Sequence, residues 1–177
     1  MKAALLLTSV FLLSLVISCS RQSQPTQSTQ QGNQAQPQSQ PSLATSERGT
    51  PAEAKAMLQK AVEHYNSVGH KQALADFSAK KSPFGDRDLY VFCIGSNSST
   101  LTANGAFPQY VGMSIDVWRD ADGKPLGRAI QDAASKSDEG SIQYRMINPI
   151  SGKIEPKSAF WKRLGEDVCG VGVYNSQ

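Results

Sequence analysis

Ser141-Ile142-Gln143-Tyr144-Arg145-Met146-Ile147, Lys157-Ser158-Ala159-Phe160-Trp161-Lys162-Arg163-Leu164 and Asp167-Val168-Cys169-Gly170-Val171-Gly172-Val173-Tyr174 are three runs of period two, rich in β-branched and aromatic residues. Such runs form half-buried strands. Asn148-Pro149-Ile150-Ser151-Gly152 and Gly165-Glu166 separate them, and both carry the residues that close hairpins. Two further runs of the same kind precede them, Leu89 to Ile94 and Ser99 to Ala103. Between the second and third strands lie Pro108, Trp118, the turn Asp120-Ala121-Asp122-Gly123-Lys124 and a short helical stretch around Leu126 to Ser137.

Upstream of the strands the period is helical. Thr50-Pro51-Ala52-Glu53 offers a Thr N-cap, a Pro at the first helical position and a Glu at the third, which together satisfy the free N–H groups of a helix start. Met57, Leu58, Ala61, Val62 and Tyr65 then recur at three- and four-residue spacing and form one apolar stripe. Val68-Gly69 interrupts it, and a shorter helix follows from His70 to Lys80 before Pro83-Phe84-Gly85-Asp86 turns the chain. The order of elements predicts an α+β fold: a long N-terminal helix packed with a five-stranded antiparallel sheet, and crossover helices over the other face.

The first nineteen residues predict export. A single Lys is followed by an apolar run of roughly fifteen residues, the pattern of a secretory leader and slightly short for a membrane span. Val16-Ile17-Ser18-Cys19 resembles the lipobox of bacterial lipoproteins, in which the Cys is thioether-linked to diacylglycerol and becomes the new N-terminus. Each buried acyl CH₂ contributes about 0.8 kcal/mol, so two or three chains make a lasting anchor. Residues 19–49 are then dominated by Gln, Ser, Thr and Pro, too polar to form a core, and are read as a tether of about 30 Å root-mean-square reach. The expected organisation is a leader over 1–18, lipidated Cys19 with the tether over 19–49, and one globular domain over 50–177. With a net charge of only +3 and its cations spread out, the chain shows no nucleic-acid footprint.

The motifs of common enzymes are missing from the sequence: Gly-x-Ser-x-Gly, Gly-x-x-x-x-Gly-Lys-Ser/Thr, Cys-x-x-Cys-His and His-Glu-x-x-His. The two histidines, His64 and His70, stand on nearly opposite faces of a broken helix and read as exposed residues rather than a metal pair. Asp120 to Lys124 lacks the further oxygen ligands of a calcium loop and reads as a turn capping the next helix. No enzymatic activity, cofactor or metal is expected. Gly170-x-Gly172 lies within a strand, where glycine permits close packing.

From about Ala54 to Tyr174 the sequence resembles the single Cache domain, the PAS-like extracytoplasmic sensor module of bacterial chemoreceptors and histidine kinases. The resemblance is carried by Gly69-x-x-x-Ala73-Leu74-x-x-Phe77, Phe84, Asp88-Leu89-Tyr90-Val91-Phe92 and Val111-Gly112. It continues through Asp120-Ala121-Asp122-Gly123-Lys124, Tyr144-Arg145-x-x-Asn148-Pro149, Gly152-Lys153, Pro156-Lys157-Ser158 and Gly170-Val171-Gly172-Val173-Tyr174. It implies a domain that encloses a small solute, often a short carboxylate, between the sheet and the segment before the third strand.

On that footing Tyr144 and Lys157 are the first candidates to receive an anion, with Trp118 or Phe160 as apolar walls. The plainer alternative, a half-buried sheet Tyr and a solvated turn Lys, stays open on the residues alone. Arg145 is a weaker candidate, since alternation turns it away from Tyr144 unless a bulge re-aims it. Asn104-Gly105 stands where the family often has His-Pro or His-Gly. Asn104 either lines the pocket as a neutral donor and acceptor or simply forms a tight turn. Phe160 replaces a common Tyr, Met146 a common Trp, and Gly95 to Ser99 a turn with Asp and Gly, so the ligand's identity stays open.

Cys93 and Cys169 form an even pair in an oxidising compartment, and both a bridge and two buried thiols fit their alternation. The bridge requires neighbouring first and last strands, which the resemblance implies. Two functions remain. One is a lipid-anchored sensor of a small solute that signals through a membrane receptor or kinase, on the periplasmic or cell-surface side and at the outer membrane of a two-membraned host. The other is a ligand-free interaction lipoprotein of the envelope. A pocket filled by Met146, Phe160 and Trp161 favours the second; a cavity with unpaired polar groups at Tyr144 and Lys157 favours the first.

Overall fold

A computed structural model describes residues 48–175; the leader, lipidated Cys19 and all but the last two residues of the tether expected from the sequence lie outside them. The chain begins with α1 (Pro51–Val68), whose capping box is formed: Thr50 Oγ1 accepts from the Glu53 N–H, and Glu53 Oε2 accepts from the Thr50 N–H. Gly69, at φ +83°, ends α1 in a conformation that a side chain disfavours. α2 (His70–Ser78) follows at once.

Strands β1 (Gly85–Asp86), β2 (Leu89–Gly95), β3 (Leu101–Asn104), β4 (Glu139–Ile147), β5 (Ile154–Leu164) and β6 (Asp167–Tyr174) form one antiparallel sheet. Its order is β1-β2-β6-β5-β4, with β3 also on the outer side of β2. A 3₁₀ turn (Pro108–Tyr110) and α3 (Leu126–Ala134) lie between β3 and β4. Central strands β2 and β6 are buried along their whole lengths, whereas edge strand β4 alternates. Apolar residues on both faces of a strand are what two-sided covering requires.

The faces divide by parity. Leu89, Val91, Cys93 and Val171 pack against α1 and α2, where Met57, Ala61 and Phe77 meet them. Phe92, Ile94, Ala159 and Trp161 pack on the other side with Ile115, Leu126 and Ile130. Cys93 and Cys169 are direct cross-strand partners on the helical face, joined sulfur to sulfur across 76 residues of sequence. No helix among the described residues is long and apolar enough to cross a membrane.

Several boundaries differ from the sequence reading. The sheet has six strands rather than five, because the turn around Gly85-Asp86 pairs briefly with Leu89 and Tyr90. β5 begins three residues before Lys157 and contains Pro156. Its carbonyl accepts from Asn175 N–H on the β6 side, where β6 has already ended at Tyr174, so the missing N–H breaks no ladder bond. Arg48 and Gly49, expected in the tether, make contacts with the sheet: Arg48 pairs with Glu155, and the Gly49 N–H donates to buried Asp88 Oδ1 at 2.7 Å. Asp120 closes its own turn, accepting from the Asp122 and Lys124 N–H groups, and does not cap α3. The histidines have partners, His64 with Asp76 at 2.8 Å and His70 with buried Asp167 at 2.9 Å.

Candidate functional site

β2, β3, β4 and the segment leading to α3 enclose a cavity of about 410 Å³. Its walls come from the sheet face opposite α1. Tyr90 and Phe92 alternate inward from β2, Tyr144 and Met146 from β4. The irregular segment closes the top: Trp118 sets its ring edge-on to Phe92 at 5.6 Å, and Phe107 meets Tyr90 edge-on at 6.2 Å. No carboxylate is among the lining residues, and Arg119 supplies a cation at the rim.

Asn104 does both things the sequence left open. It lines the cavity, and its Oδ1 accepts from the Ala106 and Phe107 N–H groups at 3.1 and 2.9 Å, which bends the chain into the cavity wall. Tyr144 is 8% exposed, and its hydroxyl has no hydrogen bond to the described residues. Burial raises its pKa well above that of an ordinary phenol, with the nearby Tyr90 hydroxyl adding to the shift.

Lys157 is directly opposite Tyr144 across β4 and β5. It is not a solvated turn residue. The side chain is fully buried and Nζ has no hydrogen-bond partner. Nζ lies 4.0 Å from the centre of the Tyr90 ring and 4.2 Å from that of Tyr174, an ammonium between two aromatic faces. Gly172 makes this possible. A Cβ there would fall 2.2 Å from Lys157 Cε, so the glycine leaves the groove in which the aliphatic stem lies. Gly170 does the same for the Phe92 ring.

Lys157 stands behind the cavity wall rather than on it, with Tyr90 between them. Desolvation lowers its pKa well below that of an ordinary lysine. The negative charge of Asp88 works the other way, and Lys80 adds to the lowering. Asp88 is itself fully buried, with Oδ1 bonded to the Gly49 N–H and Oδ2 unpartnered. Burial also raises the Tyr90 pKa to about 12. One ammonium, one carboxylate and three phenols thus form a polar cluster beneath an apolar cavity.

Two predicted residues lie elsewhere. Phe160 is on the α1 face, under Lys55, because three residues from Lys157 along a strand means the opposite side. Arg145 points outward in an unbroken register with β5 and pairs with Asp122 at 2.9 Å. Trp161 is buried in the core behind the cavity and does not fill it. The sequence alone does not mark Tyr90, Phe92 and Arg119 as cavity residues. The first two sit in Leu89-Tyr90-Val91-Phe92, where apolar residues at both parities signal two covered faces. Arg119 follows Trp118 in a segment with no period to read.

An antiparallel sheet with helices behind it and a walled cavity in front is the layout of a PAS-like domain. The chain belongs to the single Cache domain 2 family, which matches residues 44–175. Cache domains are extracytoplasmic ligand-sensing modules of signalling proteins. The fold is similar to that of a methyl-accepting chemotaxis protein from Vibrio parahaemolyticus RIMD 2210633, with a TM-score of 0.58 and 21% identity over 70% of this chain and 86% of that one. A periplasmic sensor domain of a chemotaxis protein matches at 0.59 and 21%, over 71% of this chain and 94% of that one. A Cache chemosensory domain studied for carboxylic acid recognition matches at 0.53 and 16%, over 71% and 88%. The search of curated proteins gives no match.

Proposed function

We propose that this chain is a lipid-anchored extracytoplasmic sensor of a small carboxylate or related polar solute, which passes its bound state to a membrane receptor or kinase. The observation that carries the reading is the unpartnered Tyr144 hydroxyl, facing a cavity without carboxylates and backed by buried Lys157. A phenol O–H is a donor for a carboxylate, and buried Lys157, its cross-strand partner, adds an amine to the polar cluster behind the same wall. Phe92, Phe107 and Trp118 suit the apolar part of the solute. The volume of about 410 Å³ is at the small end of the ligand-pocket range of about 300 to 1,000 Å³. Anchoring is ascribed to Cys19, and output to a partner.

The test is a thermal-shift screen of the full chain in detergent against C2 to C4 carboxylates, hydroxy acids, amides and amino acids. A ligand at one hundred times its Kd adds about 2.7 kcal/mol, a rise of several degrees for a domain of this size. The expected result is a shift with at least one acid that Tyr144→Phe weakens and Lys157→Met abolishes. A flat screen over all four classes would overturn the reading in favour of a ligand-free interaction lipoprotein.

A further inference from the structure

The end of the domain that carries the β4–β5 hairpin exposes aliphatic side chains that a water-facing surface does not need. Ile147 is 43%, Ile150 59%, Ile154 50% and Val117 61% exposed. They are contiguous. Ile147 and Ile154 are cross-strand partners, Ile150 lies in the turn joining them, and Ile147 and Val117 share the cavity wall. Single exposed aliphatics are ordinary; a connected group of them marks a contact surface.

Cations surround this group. Lys153 is in the hairpin turn and Arg119 is at the cavity rim. Arg145 leads into Ile147, and the Ala121 N–H bonds the Arg145 carbonyl, which brings the turn with Lys124 alongside. The carboxylates nearby are all engaged: Asp122 pairs with Arg145 and Lys124, Asp120 accepts from the Asp122 and Lys124 N–H groups, Glu155 pairs with Arg48, and Asp116, next to Val117, is held by Arg128, while Lys153 and Arg119 form no ion pair among the described residues. An aliphatic patch with a basic rim fits the headgroup region of an anionic bilayer.

The chain outside the described residues arrives at the same place. Arg48 donates to Glu155 from both terminal guanidinium nitrogens at 2.6 and 3.0 Å, and Glu155 follows Ile154 directly. Glu155 also accepts from Asn148 Nδ2 and Ser151 Oγ in the hairpin turn. The chain therefore enters the domain at the foot of the exposed patch, within about thirty residues of Cys19. Confinement at that distance raises the effective concentration of surface and patch, so a weak patch is enough.

We propose that the β4–β5 hairpin end, through Ile147, Ile150, Ile154 and Val117 with Lys153 and Arg119, docks on the anionic surface of the bilayer that holds the chain's own anchor. This rests on the lipid anchor at Cys19. It turns the cavity rim toward the headgroups.

The test uses the full lipidated chain in vesicles of phosphatidylethanolamine and phosphatidylglycerol, with a nitroxide at Ile150→Cys or, as a control on exposed α2, at Lys71→Cys. With Cys93 and Cys169 bonded to each other and the Cys19 sulfur held in its thioether, the introduced thiol is the one labelled. The expected result is loss of collisions with an aqueous nickel chelate and gain of collisions with oxygen at position 150 alone, reversed when phosphatidylcholine replaces phosphatidylglycerol. A label at 150 as open to nickel as that at 71, on chains that float with the vesicles, overturns docking and leaves the patch to a protein partner. Chains that do not float overturn the anchor reading, and docking falls with it.

Discussion

An ammonium without a hydrogen bond is expensive to bury, and Lys157 is the residue at which that expense is concentrated. Replacing a buried charge by an apolar side chain of similar volume is commonly neutral or stabilising. Lys157→Met is therefore expected to unfold at the same or a higher temperature near neutral pH while losing the response to acids, a combination that mere structural damage does not produce. The pH dependence separates the two forms further. The folded pKa of Lys157 is lowered, whereas the unfolded chain keeps that proton up to about pH 10.4. Between that lowered value and about pH 10.4 the unfolded state binds more protons, and over that window this residue makes stability rise with pH. Denaturant midpoints are expected to rise with pH through that window in the wild type relative to the Met variant. That Tyr144 and Lys157 lie on adjoining strands was legible in the sequence; their direct opposition across the two strands was not, since it depends on the register. The depth of Lys157 was not, because a lysine in sequence reads as solvated and the groove that hides it is made by Gly172, on another strand.

At the level of elements, β2 and β6 are the spine, and the Cys93–Cys169 bridge fastens their helical faces. The cavity is on the other side of the sheet. Cys93→Ser with Cys169→Ser is expected to destabilise the domain by about 2 to 5 kcal/mol while leaving the affinity for an acid nearly unchanged, measured by urea titration and by ligand-dependent thermal shift. Alkylation of two free thiols in non-reduced protein would show that the bridge is absent. The α1 capping box was legible in full, because all its parts lie within four residues. The two-residue β1 and the first turns of β5 were not. The former has too few residues to show a period, and Pro156 reads as a break until the end of β6 is known. Phe160 went astray through the same parity that placed Lys157, since strand neighbours an odd number apart face opposite ways.

For the molecule as a whole, acid sensitivity is expected to centre on Glu155. Arg48 first, then Asn148 and Ser151, hold its pKa down to about 2 against the opposing effect of burial. The unfolded value is about 4.3, so the stabilisation is complete above that pH and is lost as pH falls toward about 2. Glu155→Gln is expected to lower the neutral-pH stability by about 1 to 3 kcal/mol and to flatten the decline between about pH 4.5 and 2 in circular-dichroism titrations. The α+β layering was legible because helical and strand periods occupy separate stretches of sequence. The point at which the fold begins was not, since Arg48-Gly49 looks like more tether until Glu155 and Asp88 are placed opposite it.

The same few residues at the start of β5 also receive the other end of the domain: the Asn175 N–H bonds to the Pro156 carbonyl, and its side chain bonds to Ser158. With Arg48 on Glu155 and Asn175 on Pro156, the two ends of the described fold leave from adjacent positions on one strand. Such a body is a cassette. It can be spliced into a surface loop of an unrelated protein, or have its ends fused by a short linker and be reopened at exposed Gly165-Glu166, with every strand pairing kept.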